Sequence, residues 1–326
     1  MPAFDAVVAG AGGFIGGHLV RALLDEGKTV RAVDIKPFDQ WDQRHESADN
    51  LSRDVGLLES AREVLDGGAG EVYNLACNMG GMGFIETHKA ECMLSVLPST
   101  HMLMAARDAG VGRFFYSSSA CVYAGYKQTD PNLTALKEED AYPADAEDGY
   151  GWEKLFSERM CRHFREDFGL ETRIARYHNI YGPQGTWDGG REKAPAAACR
   201  KVAIAALTGE REVEIWGDGE QTRSFTYVDD CVHGSRMLTR GDFVDPLNVG
   251  SSEITTINNL YHLIADIAGV EIELKHIDGF LGVRGRNSDN TLIQKEFDWE
   301  PSISLREGLT ETYRWIHDQV ARKLGK

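Results

Sequence analysis

The first half of the chain alternates short apolar runs with segments in which apolar residues recur every three or four positions. The run Phe4–Ala9 precedes a glycine-rich stretch and then Phe14–Asp25, whose apolar side chains have helical spacing. Strands that alternate with helices predict parallel βαβ units, so we expect an α/β fold built on a Rossmann-type doubly wound parallel sheet. The predicted strands are Phe4–Ala9, 29–33, 71–75, 114–117 and 172–176, and the predicted helices are Phe14–Asp25, 59–65, 95–108 and 150–168.

The pattern changes beyond Tyr177. Residues 181–193 are rich in glycine, tryptophan and charge, which is typical of an active-site loop. The acidic, turn-rich segment 128–148 is either a solvated loop or a functional lid. The remaining elements predict a smaller C-terminal α/β domain. They are helices at 194–207, Ile257–Ala268 and 305–323, and strands at 213–216 and 246–249.

A glycine motif lies between the first predicted strand and the first predicted helix, Gly10-Ala-Gly-Gly13-Phe-Ile-Gly16. In dinucleotide-binding proteins such glycines form a tight turn, let the backbone approach a pyrophosphate and allow a helix to pack closely on a strand. Free amide groups at the helix N-terminus then bind the phosphates. We therefore predict a dinucleotide site that includes Gly10, Gly13, Phe14, Ile15 and Gly16.

Asp34 narrows the choice of cofactor. It ends the second predicted strand, 18 residues after Gly16, where a carboxylate can bind both hydroxyls of an adenosine ribose. Its charge repels a 2′-phosphate, so NAD is favoured over NADP, and the nearby Lys36 weakens this preference without reversing it. Asp54 is a candidate for the adenine edge or a surface aspartate. We assign 1–177 to an NAD-binding Rossmann domain, completed by about 226–257, and 178–326 mainly to a substrate-binding domain.

Tyr150 and Lys154 lie four positions apart, on one face of the predicted helix 150–168. A lysine close to a tyrosine lowers the pKa of the phenol from its ordinary value of about 10. Such a tyrosine can accept a hydroxyl proton while hydride leaves the same carbon for a nicotinamide. Ser119, which follows the predicted strand 114–117, can hold the same hydroxyl or the developing carbonyl. These residues predict a redox centre.

Together these residues resemble the extended short-chain dehydrogenase/reductase family, whose members act on nucleotide sugars. Over nearly the whole chain, further motifs are similar to those of the GDP-mannose 3,5-epimerase group of that family. The most specific are Met-Gly-Gly-Met-Gly at 79–83, Ser-Ala-Cys at 119–121 and Arg-Glu-Lys-Ala-Pro at 191–195. The resemblance implies an NAD-dependent isomerase.

The same resemblance implies epimerisation of a GDP-hexose, and we expect GDP-mannose to react at C5 and C3, giving GDP-L-gulose, GDP-L-galactose or both. Transient oxidation of C4 with bound NAD acidifies the flanking C–H bonds, and proton exchange and hydride return complete the cycle. Tyr150, Lys154 and Ser119 then serve the oxidation. Cys121 is implied as a thiolate base and Lys193 as the acid on the other face of the sugar. The implied substrate-binding residues are Gly80, Ser119, Cys121, Asn179, Glu192, Lys193, Ala194, Lys201, Gln221, Thr222, Arg223 and Arg286.

Other functions stay open at this stage. A nucleotide-sugar 4-epimerase needs Tyr150, Lys154 and NAD but no base at C5. A non-catalytic nucleotide-sensing module would keep the fold without turnover, but such proteins usually lose the tyrosine or the lysine. A 4,6-dehydratase needs an acidic pair after the serines, and Ala120 and Cys121 at this point count against it.

Composition limits the partners. The 326-residue chain has a formal net charge of −16 and no basic block, which argues against nucleic acid. An anionic diphosphate therefore needs a local basic site, and Lys201, Arg223 and Arg286 supply one. No Cys-x-x-Cys pair or His/Asp/Glu cluster has metal-ligand spacing, so we predict no metal and no disulfide framework. With no apolar run that could span a membrane and no recognisable leader, we expect a cytoplasmic protein.

Members of the resembled family commonly form dimers through a four-helix bundle, which here would use the helices near 95–108 and 150–168. We therefore expect a homodimer. The apolar residues of these helices that either face the partner or pack in the core are Leu103, Met104, Leu155 and Phe156.

Six residues near the motifs have a second interpretation. Arg176, Arg191 and Arg284 either line the site or form structural ion pairs. Trp187, Trp216 and His178 are expected to pack within the protein instead of binding a ligand.

Overall fold

The structure is a computed structural model that describes residues 2–132, 135–280 and 282–326. Leu133 and Thr134 of the acidic segment 128–148 lie outside the described residues. The strands are β1 (Phe4–Ala9), β2 (Val30–Asp34), β3 (Asp49–Ser52), β4 (Ala69–Asn74), β5 (Arg113–Ser119), β6 (Thr172–Tyr177), β7 (Ile180–Tyr181), β8 (Glu212–Trp216), β9 (Thr222–Ser224), β10 (Thr226–Tyr227), β11 (Leu247–Val249), β12 (Ile254–Thr256), β13 (Glu273–Ile277) and β14 (Gly285–Arg286). The helices are α1 (Phe14–Asp25), α2 (Leu58–Val64), α3 (Met82–Thr87), α4 (Lys89–Met93), α5 (Val96–Asp108), α6 (Asp148–Phe168), α7 (Ala194–Thr208), α8 (Val228–Arg240), α9 (Ile257–Ala268), α10 (Thr291–Phe297) and α11 (Leu305–Leu324).

A seven-stranded sheet with the order β11-β6-β5-β4-β1-β2-β3 forms the centre of the molecule. All its pairings are parallel, which confirms the predicted doubly wound sheet. The chain order reverses between β1 and β4, where Ala9 pairs with Asn74. In sheets of this type a crevice opens at the carboxyl ends of the strands at the point of reversal, and ligands bind there.

Helices cover both faces of this sheet. On one face α1 and α8 bury side chains such as Leu19 and Val232, and on the other α2, α5 and α6 bury side chains such as Val64 and Met102. All six residues of β6 are buried because β11, β5 and α8 enclose this strand. A sheet buried on both faces fits the apolar, β-branched runs from which the strands were predicted.

Outside the main sheet, the described residues form three short sheets. In the first, β8 pairs in parallel with β13; in the second, β9 lies between β12 and β14; and in the third, β7 pairs in parallel with β10. Helices α7, α9 and α11 pack on one another beside them. The pairing of β9 with β14 sets Arg223 opposite Arg286, although the two residues are far apart in the sequence.

Every predicted strand and helix is present, with each bound within two residues of its prediction. The main omission is α8. Its inner face includes the buried polar residues Asp230, Ser235 and Thr239, so the segment as a whole is poor in apolar residues. Asp230 is buried because its carboxylate accepts hydrogen bonds from the backbone N–H groups of Ser302 and Ile303, at 3.0 Å each. The edge strand β3 was also missed, since only one of its four residues is apolar.

Several general properties follow from the described residues. No helix among them is long and apolar enough to cross a membrane. The part of the chain that the structure describes holds no group of three or more His, Cys, Asp or Glu side chains arranged to bind a metal ion. All six cysteines lie within it as free thiols, and only Cys77 is more than slightly exposed.

Candidate active site

The glycine turn between β1 and α1 lies at the crevice of the main sheet. Gly10 has a φ of +85°, and a Cβ there would come within 2.8 Å of the carbonyl carbon of Leu75. A Cβ on Gly16 would overlap the carbonyl oxygen of Gly10. Gly13 precedes α1, so the free amides of the first helical turn face the crevice. This cradle fits a dinucleotide pyrophosphate.

Asp34 lies beside this turn, at the end of β2. Its Oδ2 accepts a hydrogen bond from the Gly12 N–H and its Oδ1 one from the Lys36 N–H, each at 3.0 Å. The Lys36 ammonium donates to the carbonyl oxygen of Gly12 at 3.3 Å and lies 3.8 Å from the Asp42 carboxylate. The carboxylate of Asp34 is therefore held in a fixed orientation, and Asp42 engages the lysine that would attract a 2′-phosphate.

The other residues predicted for the cofactor lie around the same crevice. The ring of Phe14 contacts the loop after β7, since a Cβ on Gly185 would come within 2.8 Å of it. Ile15 follows in the first turn of α1. Asp54 follows β3, and its Oδ1 accepts a hydrogen bond from the Gly56 N–H at 2.8 Å. Asp54 thus shapes a turn, and its role at the adenine edge stays a prediction.

Tyr150, Lys154 and Ser119 meet at the carboxyl end of β5. Lys154 is almost fully buried, and its Nζ donates to the carbonyl oxygen of Ser117 at 2.9 Å. The same nitrogen lies 5.6 Å from the centre of the Tyr150 ring. The Ser119 hydroxyl lies close enough to the Tyr150 phenol to oppose part of the rise in its pKa. The structure therefore brings the predicted redox group together.

The expected effect of Lys154 on Tyr150 was wrong for this structure. Burial raises the pKa of the Tyr150 phenol well above its ordinary value, and the thiols of Cys77 and Cys121 and the Glu153 carboxylate add to the increase. The Lys154 ammonium is directed at a backbone carbonyl instead of the phenol oxygen, so its charge does not compensate for burial. The phenol is protonated at neutral pH.

Cys121 lies on the next turn of the chain, almost buried beside Tyr150. Its backbone N–H donates to Ser119 Oγ at 3.2 Å, and its Sγ accepts a hydrogen bond from Arg286 Nη1 at 3.5 Å. Burial raises the pKa of the thiol to about 11, and the Glu147 carboxylate adds to the increase while Arg286 opposes it. Cys121 is therefore a thiol before the reaction, because burial and an adjacent carboxylate both favour the neutral form, and its role as a thiolate base stays a prediction.

Lys193 faces the same space from the residue before α7. It is half-buried, and its ammonium makes no hydrogen bond or ion pair with any residue in the described ranges. Burial lowers its pKa, whereas the nearby thiols of Cys121 and Cys77 raise it. The loop before it is tied to the Met-Gly-Gly-Met-Gly segment, where the Gly81 N–H donates to the carbonyl oxygen of Arg191 at 3.0 Å. The predicted acid and base therefore lie close enough together to interact electrostatically.

Arg223 and Arg286 form the basic part of the site. Arg223 Nη2 donates to the carbonyl oxygen of Val283 at 2.6 Å, and burial together with the charge of Arg286 lowers the pKa of Arg223 to about 10. Gln221 precedes them, and its buried Oε1 has no hydrogen-bond partner among the described residues. Lys201, on α7, donates to the carbonyl oxygen of Glu214 in β8, and burial lowers its pKa.

The other residues predicted for the substrate are placed by backbone contacts. Asn179 has a φ of +47°, and its Nδ2 donates to the carbonyl oxygen of Ser224 at 2.8 Å. Glu192 accepts hydrogen bonds from the Gly190 N–H at 2.7 Å and from Arg200 at 2.8 Å. Of the remaining three residues, Gly80 is buried against Phe84, and Ala194 is the exposed first residue of α7. The Thr222 hydroxyl donates to the carbonyl oxygen of Pro131.

Most of the residues that were predicted either to line the site or to have a structural role have structural partners. Arg176 is fully buried and pairs with Glu158 at 2.7 Å, and Arg284 pairs with Asp218 through two hydrogen bonds of 2.9 and 3.0 Å. His178 is buried and bonded to Asn248 at 2.8 Å, and burial lowers its pKa to about 3.

The aromatic neighbours of the site differ in exposure. Arg191 lies over the ring of Phe84, with 3.8 Å between the guanidinium carbon and the ring centre. Trp187 packs against the core, whereas 44% of Trp216 is exposed and its ring meets that of Phe280 edge-on. Packing is therefore the observed environment of Trp187, and Trp216 remains accessible to a ligand.

Three residues at the site were missed from the sequence. Glu147 contacts Arg286, the buried Glu153 carboxylate lies 3.9 Å from the Lys154 ammonium, and Cys77 lies close enough to Lys154 for the ammonium to lower the pKa of its thiol. The only sequence signal for them is their position next to recognised motifs, because their partners come from distant segments.

The comparisons with known proteins agree with this geometry. Residues 6–250 match the model of the NAD dependent epimerase/dehydratase family. The chain is 46% identical over 317 residues to a GDP-mannose 3,5-epimerase 1 of Oryza sativa subsp. japonica, covering 97% of this chain and 82% of that protein. It is 45% identical over 320 residues to a GDP-mannose 3,5-epimerase of Arabidopsis thaliana, covering 98% and 84%.

Solved structures of nucleotide-sugar enzymes share the fold of this chain. A UDP-glucose 4-epimerase of Thermotoga maritima, solved with UDP-glucose, superposes with a TM-score of 0.86 at 26% identity, covering 97% of this chain and 99% of that one. MoeE5, solved with UDP-glucose and NAD, superposes with a TM-score of 0.80 at 28% identity and the same coverage. The glycine turn, Asp34 and the Tyr150–Lys154 pair fit the cofactor of such proteins. The chain belongs to the NAD dependent epimerase/dehydratase family.

Proposed function

We propose that the protein epimerises a GDP-hexose, with GDP-mannose as its substrate, at C5 and C3 to give GDP-L-gulose and GDP-L-galactose. Two relatives named for this reaction are 45–46% identical over nearly the whole chain. The observation that carries the proposal is that Cys121 packs beside Tyr150 and lies close enough to Lys193 to raise the pKa of its ammonium. A reaction confined to C4 needs only the second pair.

The chemistry explains why both pairs are present. A C–H bond next to a hydroxyl-bearing carbon is not acidic, but one next to a ketone is, because its carbanion is an enolate. When bound, oxidised NAD supplies a hydride acceptor for C4 and a cationic ring in the crevice. The ketone at C4 then acidifies the protons at C3 and C5, and the remaining work falls to side chains of this protein.

Tyr150 moves the proton of the C4 hydroxyl. Its phenol is protonated in this buried position, so it accepts that proton only when cationic charge lies close to it. Lys154, held by the carbonyl oxygen of Ser117, supplies part of this charge. Ser119 lies beside the phenol and can donate a hydrogen bond to the C4 oxygen, which would fix the sugar against the tyrosine.

Cys121 and Lys193 exchange the protons at C5 and C3. Cys121, as the thiolate, removes a proton from one face of the sugar, and Lys193 returns a proton to the other face. Lys193 suits this role because its ammonium has no anion paired with it among the described residues. Arg286, in contact with the sulfur at 3.5 Å, stabilises the thiolate and any enolate oxygen close to it. General acid–base groups of this kind contribute roughly 10²–10⁴-fold each.

The basic residues bind the diphosphate. Arg223 and Arg286 lie side by side on paired strands, and Lys201 stands on the adjacent helix α7. On a chain with a formal net charge of −16 these cations supply the local attraction that a dianionic group needs. We also propose that 178–326 is mainly the substrate-binding part, while 1–177 and about 226–257 bind NAD; the position of β11 in the main sheet supports this division.

The test is solvent exchange. Purified enzyme with bound NAD is incubated with GDP-mannose in heavy water, and the products are examined by NMR. We expect deuterium at C5 and at C3. Absence of exchange with every GDP-hexose refutes the proposal, and inversion at C4 without solvent deuterium identifies a 4-epimerase instead. Cys121→Ala should abolish the exchange. The matched control is Cys161→Ala, which removes a buried thiol from the core under α2, α5 and α6 and should leave the exchange unchanged.

We further propose that the protein forms a homodimer through the outer faces of α5 and α6. Leu97, Trp152 and Phe156 are each 43–51% exposed on these helices, which is unusual for large apolar side chains that lie close together. Leu103 and Leu155 are buried in the core and do not face a partner, and Met104 packs against the core. Phe156→Glu should convert the dimer to a monomer in sedimentation velocity, and a wild-type monomer at micromolar concentration excludes the proposal.

A further inference from the structure

Glu147 is a charged residue of the site to which the proposed chemistry gives no role. It lies directly before α6, three residues before Tyr150, and its carboxylate does not cap the helix. Its Oε2 accepts a hydrogen bond from Arg286 Nη2 at 3.0 Å, and only 13% of its side chain is exposed. Its backbone N–H donates to the carbonyl oxygen of Cys121 at 2.9 Å. Glu147 is therefore fixed to both the cysteine and the arginine.

These three side chains form a closed group. The Glu147 carboxylate lies close enough to the Cys121 thiol to raise its pKa, and Arg286 donates to the sulfur at 3.5 Å and to the carboxylate at 3.0 Å. Arg286 Nε donates in addition to Gln128 Oε1 at 2.8 Å. A buried guanidinium beside a second one, Arg223, needs an anion to hold it there, and Glu147 is that anion.

On the basis of the function proposed above, we propose that Glu147 is a positioning residue of the epimerisation, which holds Arg286 beside the Cys121 sulfur and keeps the proton on the thiol. A carboxylate close to a thiol favours the neutral thiol, because it repels the negative charge of the thiolate. Arg286 acts in the opposite direction on the same sulfur. The balance between the two decides how much thiolate is available to take the proton at C5.

The other charged or titratable groups around the sulfur do not replace Glu147. Arg223 on β9 is cationic, Lys193 before α7 has no anionic form, and Tyr150 on α6 is a protonated phenol. Glu147 is thus the anion of the group that contacts the thiol directly. Removing its charge leaves a cationic environment, which favours the thiolate. Cys121 therefore becomes more reactive when the charge of Glu147 is removed. A variant with only a structural defect is not expected to show this increase.

The experiment measures thiolate without turnover. Holoenzyme with bound NAD and no sugar nucleotide is treated with iodoacetamide between pH 7 and 10.5, and alkylation of the Cys121 peptide is followed by mass spectrometry. In the wild type we expect the rate to rise tenfold per pH unit with no plateau near the ordinary thiol value of about 8.5. At pH 8, Glu147→Gln should react at least ~10-fold faster, and Arg286→Gln at least ~10-fold more slowly, since one pKa unit changes the thiolate fraction tenfold.

The control is Glu139→Gln, an exposed glutamate of the same segment, which should react at the wild-type rate. A wild-type plateau at or below pH 8.5 overturns the proposal, and so does a Glu147→Gln enzyme that reacts no faster. If Glu147→Gln does not fold, the wild-type profile and Arg286→Gln decide the question. With GDP-mannose, the pH profile of deuterium uptake at C5 should move to lower pH in Glu147→Gln. Because alkylation needs no substrate, loss of the proposed activity and loss of this role are distinguishable.

Discussion

The ion pair between Arg176 and Glu158 offers a quantitative test of how the site is supported. Arg176 on β6 donates to Glu158 on α6 at 2.9 and 2.7 Å, and each side chain is at most 3% exposed. Ser118 Oγ donates to the same carboxylate at 2.5 Å, which links the strand that ends in Ser119 to the helix that carries Tyr150. We therefore expect Glu158→Gln to be strongly destabilising, because it leaves a buried guanidinium without its anion.

The magnitude follows from the burial of the pair. Breaking a buried ion pair by removing one partner costs about 3–5 kcal/mol. An unfolding entropy of about 2.1 cal/mol/K per residue gives ~0.7 kcal/mol/K for a chain of this size, so Tm should fall by ~4–7 °C. The matched control is Glu166→Gln on the same helix, whose carboxylate pairs with Arg162 at 2.7 Å but is 42% exposed. An exposed pair of this kind contributes about 0.3–0.5 kcal/mol, so Tm should change by less than ~1 °C.

Differential scanning calorimetry of both variants, saturated with NAD, provides the measurement. Replacing both partners with apolar residues, as in Glu158→Leu with Arg176→Met, should recover part of the loss, because the unpaired buried charge is then gone. Equal values of Tm for Glu158→Gln and Glu166→Gln would show that burial does not set the strength of the pair, and the reasoning would be refuted.

Three further predictions concern the reaction. Tyr150→Phe should block reduction of bound NAD by GDP-mannose, whereas the Cys121→Ala and Lys193→Ala enzymes should still reduce NAD and fail only in deuterium uptake. Single-turnover absorbance measures the reduction and NMR measures the deuterium uptake. A Tyr150→Phe enzyme that reduces NAD normally contradicts the role of the phenol. Asp34→Ala should weaken NAD binding by about 1–3 kcal/mol, since two ribose hydroxyls lose a charged acceptor; calorimetric titration measures this loss, and unchanged affinity excludes the contact. Because burial raises the pKa of Cys121 to about 11, the thiolate fraction increases with pH, and the rate of exchange at C5 should rise from pH 7 to 9; a rate that falls over this range is incompatible with a thiolate base.

The sequence predicted the parts of the site that depend on local spacing. Gly10 and Gly16 are recognisable because a turn and a close helix–strand contact need glycine at fixed offsets. Tyr150 and Lys154 are recognisable because four positions are one helical turn. The predicted strands were also correct, since a sheet covered on both faces requires continuous apolar runs.

The contacts that tune the site were beyond the sequence pattern. Arg286 and Glu147 are 139 positions apart, and only the pairing of β14 with β9 brings the arginine to the cysteine. The pKa values of Cys121 and Tyr150 are raised by burial, which depends on the packing of several segments at once. The sequence pattern therefore gave the wrong direction for the pKa of the phenol, whereas the role of Cys121 as a thiolate base stays a prediction.

The path of the chain through the two parts of the molecule has a consequence for fragments. After leaving the main sheet at β6, the chain passes through α7 and β8, comes back through α8 to add β11 at the sheet edge, and then departs again. A fragment that stops at Tyr177 would therefore expose the hydrogen-bonding edge and one apolar face of β6, which is fully buried in the intact chain. Such an open edge is a template for intermolecular pairing, so a protein cut at this point should precipitate instead of yielding an isolated cofactor-binding half.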